Sequence, residues 1–131
     1  MTGMLLACSA DDPAEGEVGG TRHDLRDLAA LLRTGHGSIA CRTGLDPSPY
    51  DHVVGRIGVH ATAAQEPAGF VLLGDRSELR VVGGKESLQA LADRIDGLAL
   101  EGRDGEHWHG EHYPGHPYLA ADSYPVVISL D

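Results

Sequence analysis

Two apolar stripes constrain this chain more than any other feature. Leu25, Leu28, Ala29 and Leu32 recur at i, i+3, i+4 and i+7, and Leu88, Leu91, Ala92 and Ile95 repeat that spacing at a constant offset of 63. This period turns one face of a helix towards a core, so the spacing predicts two amphipathic helices that must both find cover. The first is announced by Thr21 and Asp24, a capping-box pair, and closed by Gly35 and Gly37. The second follows Gly83 and Gly84, extends its stripe through Leu98 and Ala99, and ends near Gly102. The same offset lays Gly20 on Gly83 and Val18 on Val81. This is the pattern of a duplicated strand-helix-strand unit, with half-repeats at residues 15–45 and 78–131 joined by a loop and a hairpin. Shared Leu and Ala in any two amphipathic helices is the competing explanation.

The remaining segments read as strands and turns. Residues 4–8 are apolar enough for a strand, and residues 10–16 read as a polar loop. A short strand is expected over 38–42, then a loop over 44–51 enforced by Pro47 and Pro49. Ile57, Val59 and Ala61 alternate with Gly58, His60 and Thr62, the period of a half-buried strand within 53–62. Residues 70–73 and 79–82 flank a turn at 74–77 and predict a β-hairpin. Two further strands are expected at about 106–112 and 124–130. Strands interspersed with two separated helices predict an α+β fold, a mostly antiparallel sheet with both helices packed on one face. At 131 residues the chain is expected to form a single domain, 1–131.

Charge narrows the function. Twenty acidic against ten basic residues give a formal charge of -10, a field that repels nucleic acid and anionic membranes and attracts basic partners. The imbalance sits at the ends: residues 1–20 hold four acids and no base, and residues 101–131 hold six acids and one base. No apolar run approaches the roughly 20 residues that cross a bilayer. Cys8 and Cys41 are too few for a disulfide framework and fit reduced thiols in a cytoplasm. Leu5-Leu6-Ala7-Cys8 imitates a lipoprotein cleavage site, but only four residues precede it. The protein is therefore expected to be cytoplasmic.

The densest chemical signal is His107, His109, His112 and His116, flanked by Glu106 and Glu111. On a strand, His107, His109 and Glu111 project from one face, and two imidazoles with a carboxylate form an acceptable first shell for Zn or another divalent ion. The spacing matches no standard metal signature, and a solvated polar face is the simpler account. Trp108 alternates out of phase with its neighbours and is expected to face the core. The junction Val81-Val82-Gly83-Gly84-Lys85 is not a P-loop: Leu79 stands where the first glycine belongs, and Glu86 where Ser or Thr would bind Mg. Cys41 has no setting that suggests an activated thiolate, and no catalytic residue is named.

Gly83-Gly84, Leu88, Leu91-Ala92, Ile95, Glu106-His107-Trp108-His109, Tyr118-Leu119, Ser123 and Pro125-Val126-Val127 together resemble the immunity protein 32 family of bacterial polymorphic toxin systems. The resemblance is best over about the last fifty residues. It implies a non-enzymatic protein that binds and neutralises a cognate toxin, and the acidic balance suits a basic one. Glu106, His107, His109, Glu111 and Tyr113 are the expected partner-binding residues. The alternatives are a metal-binding or metal-sensing protein using His107, His109 and Glu111, and a small enzyme of unrecognised type. The leading reading needs no cofactor.

Overall fold

The computed structural model describes residues 3–9, 14–63 and 65–131. Its elements run β1 (Leu5–Ser9), β2 (Glu15–Gly20), α1 (Arg22–Thr34), β3 (His36–Ala40), β4 (His52–Val53), β5 (Arg56–Ala61), β6 (Gly69–Leu72), β7 (Leu79–Gly83), α2 (Lys85–Glu101), β8 (His107–Gly110) and β9 (Val126–Leu130). The expected α+β class and mostly antiparallel pairing are present. The strands divide between two sheets, one in the order β4-β1-β2-β9-β8 and the other β3-β5-β7-β6. Each sheet has a single parallel pair at its centre, β2 with β9 and β5 with β7. Of the loop expected at residues 10–16, residues 10–13 lie outside the described residues, while Glu15 and Gly16 open β2.

Local chemistry accounts for the helices. Thr21 Oγ1 accepts from the Asp24 amide at 3.2 Å, and the Asp24 carboxylate accepts from the Thr21 amide at 3.1 Å, so the capping box is complete. Gly35 closes α1 in the left-handed conformation (φ 81°), and its amide donates to the carbonyls of Leu31 and Leu32. Thr21→Ala removes one side of this box and is expected to lower stability by about 1 kcal/mol, read as a fall in the urea midpoint with unchanged slope.

The two helices pack side by side. Arg33 reaches from α1 to Asp93 at 2.8 Å and to Asp96 on α2, and Arg22 Nη1 donates to the Ala99 carbonyl at 2.7 Å. Hydrogen bonds from Arg33, then from Gln89, hold the Asp93 carboxyl below the usual carboxylate range. The pair straddles both sheets: α1 touches β2 and β3, α2 touches β7 and β9. One core results, with Leu25, Leu28, Leu32, Leu88, Leu91, Ile95 and Leu98 from the helices meeting Leu6, Val18, Ile57, Leu79, Phe70 and Ile128 from the strands. No helix among the described residues is long and apolar enough to cross a membrane.

The two sheets follow one plan. The hairpin β1–β2 leads into α1, and the hairpin β6–β7 leads into α2. Each helix is followed by strands that pair antiparallel with each other, β3 with β5 and β8 with β9. The first hairpin of each half pairs with the last hairpin of the other, so both sheets draw on both halves of the chain.

Candidate functional site

β8 and β9 position the residues singled out in the sequence. β8 is an edge strand, so its side chains are covered by a neighbour on one flank only. Trp108 is half-buried and packs against the core, with the Arg94 guanidinium 5.4 Å from its ring centroid. His107 and His109 point the other way and are exposed, their rings meeting edge to face at 5.1 Å between centroids. Glu106, Glu111 and Tyr113 are exposed too, Tyr113 by 56%.

The expected metal set is only loosely assembled. His109 Nδ1 lies 3.9 Å from Glu111 Oε1, on side chains that are more than half exposed. Glu111 lies beyond the end of β8 and not on the strand where two-residue alternation would have aligned it with the histidines. Among the described residues no group of three His, Cys, Asp or Glu side chains is placed to hold a metal ion. His112 and His116 belong to the loop instead. His116 Nδ1 accepts from the amides of Tyr118 and Leu119, and burial, then the nearby His112, lowers its pKa and favours the neutral ring that this acceptance needs.

Two clefts flank β8. One lies over the loop, lined by Arg94, Trp108, His109, His112, Tyr113 and Tyr118 among others, with a volume of about 380 Å³. The other lies on the outer face of the β2–β9–β8 sheet, about 390 Å³, and gathers Glu15, Glu17, Tyr50, His107, Ser129 and Asp131. The Glu17 carboxylate in its lining is held by two hydroxyls. Tyr50 donates to Oε1 and Ser129 to Oε2, each at 3.1 Å. Burial and the charge of Glu17 push the Tyr50 hydroxyl up to about 12, so it stays a neutral donor. Burial, then the charges of Glu17 and Asp24, raises the Asp131 carboxyl above its ordinary value.

Sequence reasoning placed the histidine strand but missed this carboxylate group. Glu15, Glu17, Tyr50 and Asp131 are up to 116 positions apart in the chain, counted from Glu15 to Asp131. The available signal was the alternation of Glu15 and Glu17 about Gly16, which marks one face of a strand. Cys41, by contrast, is 2% exposed, and burial pushes its thiol up to about 11, the opposite of an activated nucleophile.

Fold and surface together define a small α+β protein whose polar residues collect on open sheet faces and clefts that communicate with solvent. Residues 78–130, spanning β7, α2, β8 and β9, match the family model of Immunity protein 32. The resemblance read from the residues is thereby borne out over this C-terminal segment. No curated protein and no solved structure matches the chain.

Proposed function

We propose that the protein is a bacterial immunity-type protein, acting in the cytoplasm, that binds a cognate protein toxin and neutralises it without a catalytic step. The observation that carries this reading is the match of residues 78–130 to Immunity protein 32. The charge of -10 supports a basic toxin, because complementary fields speed encounter and penalise wrong partners. The exposed residues Glu106, His107, His109, Glu111 and Tyr113 supply both charge and an aromatic anchor at the sheet edge.

The test is co-expression with the toxin-like protein encoded beside this gene in its native genome. Cells are expected to survive the toxin only when this chain is present, and the two purified proteins to form a stoichiometric complex. Survival that does not depend on the chain, or a neighbourhood without any such gene, would overturn the reading. In the complex, the association rate constant is expected to fall at least tenfold between about 10 mM and 500 mM salt, with dissociation little changed. Stopped-flow measurement across that range checks the prediction, and a salt-independent rate would remove charge from the mechanism.

A further inference from the structure

The central parallel pairs of the two sheets correspond position by position. Gly16, Val18 and Gly20 of β2 lie beside Val126, Ile128 and Leu130 of β9, as Leu79, Val81 and Gly83 of β7 lie beside Ile57, Val59 and Ala61 of β5. The strand-to-helix junctions agree as well, since α1 begins at Arg22 and α2 at Lys85, again 63 apart. Extending this register by one residue sets Glu15 on Glu78 and Pro125 on Arg56. Within the strands it sets Glu17 on Arg80 and Val127 on Gly58.

In the β5–β7 sheet this frame is filled from within. Glu78, 6% exposed, has Oε1 3.0 Å from Arg56 Nε and Oε2 2.9 Å from Arg80 Nε. Gly58 makes room for the carboxylate, since a Cβ there would lie 2.7 Å from Glu78 Oε2. In the β2–β9 sheet both guanidinium groups are missing. Pro125 and Glu17 replace Arg56 and Arg80, so carboxylates remain where the other sheet holds a carboxylate and its counter-ions. Val127, buried at 6% exposure, stands at the position that Gly58 holds in the other sheet. Among the described residues, Glu15, Glu17 and Asp131 make no ion pair with Arg or Lys. The hydrogen bonds that hold Glu17 come from neutral hydroxyls, which orient a carboxylate without cancelling its charge.

We infer that this outer face, Glu15, Glu17 and Asp131 beside Tyr50 and His107, docks an arginine side chain of the toxin, the external counterpart of Arg56 and Arg80. The inference rests on the immunity reading for the identity of the partner. The comparison between sheets carries the chemistry: the same backbone frame accepts guanidinium groups when the chain supplies them. Arginine suits the face better than lysine, because its planar fork bridges separate carboxylates and stacks on an aromatic ring such as Tyr50. The cleft of about 390 Å³ is open enough for a side chain presented by another protein to enter.

The experiment is an NMR titration of the ¹⁵N-labelled full-length chain with the peptide acetyl-Gly-Arg-Arg-Gly-amide, and with the citrulline peptide of the same shape and no charge. Amide shifts are expected at Glu17, Val127, Ser129 and Asp131, with little change at Gly58 and Arg80. Binding is expected to weaken at least fivefold in E15Q/E17Q and to vanish with citrulline. Shifts that favour the β5–β7 face, or spread evenly over all acidic surfaces, would overturn the assignment, as would unchanged affinity in the double variant. Undisturbed core amides in E15Q/E17Q establish that it folds; should it not, E15Q alone and the citrulline peptide supply the same comparison.

The co-expression assay separates the two readings. Protection by wild type and equal protection by E15Q/E17Q refutes the docking face and leaves the immunity reading standing. Absence of protection by wild type refutes the toxin as occupant, while the peptide titration still decides whether the face takes a guanidinium. Protection by wild type that falls at least tenfold in E15Q/E17Q supports both.

Discussion

Gly83→Ala is expected to lower the free energy of unfolding by about 3 kcal/mol, the sum of backbone strain and overpacking at a position that allows neither. Gly83 ends β7 with φ 155°, a backbone conformation that side chains rarely adopt. A Cβ built there would lie 2.6 Å from the Ala68 Cα and 3.1 Å from the Pro67 carbonyl oxygen. Those atoms belong to the main chain beside β6, so relief requires moving a strand and not turning a rotamer. The Gly83 carbonyl also accepts from the Thr62 amide, and the next residue, Gly84, donates to Glu66, so the junction is held from two sides. Gly97→Ala is the internal control. It lies within α2 with nothing within 4 Å of its Cβ position, and should stabilise the protein by about 0.5–1 kcal/mol. Urea unfolding of both variants decides the matter: a loss below about 0.5 kcal/mol in Gly83→Ala would show that the main chain at Ala68 yields freely.

Ile128→Ala is expected to cost a comparable amount, roughly 2–5 kcal/mol, from lost burial together with the cavity left behind. Ile128 is fully buried in β9, with Val18 beside it across the parallel pair and Trp108 beside it across the antiparallel one. It therefore sits where strands from the two ends of the chain meet. Collapse around the cavity would demand coordinated movement of β2, β9 and β8, which close packing resists. The midpoint of urea unfolding should fall with little change in slope. A change under about 1 kcal/mol would mean that the β2–β9–β8 region repacks readily around the missing side chain.

Much of the local structure was legible because its causes are local. The Thr21–Asp24 box, the Leu and Ala stripes of both helices, and the turn between β6 and β7 depend on residues within a few positions of one another. The exposure of His107 and His109 and the inward turn of Trp108 follow from strand alternation alone. The family resemblance was legible for a related reason, since its Gly, Leu-Ala, His-x-His and Val-rich elements fall in one continuous segment, residues 78–130. Glu111 shows the limit of such reasoning. Alternation set it in line with the histidines, but β8 ends at Gly110 and the carboxylate follows the loop.

The sequence by itself therefore determined both helices and most of the strands, the apolar faces of those elements, and that the molecule carries a strong negative charge; it did not mark β2, whose first residues read as loop. Only the tertiary structure decided the pairing of β2 with β9, the division of the strands into two sheets, and the meeting of Glu15, Glu17, Tyr50 and Asp131 around one cleft. The reason is physical. Capping and periodicity act over a turn or two of chain, whereas strand pairing and charge clustering are won by the burial of both helical stripes at once, a condition that no single segment contains.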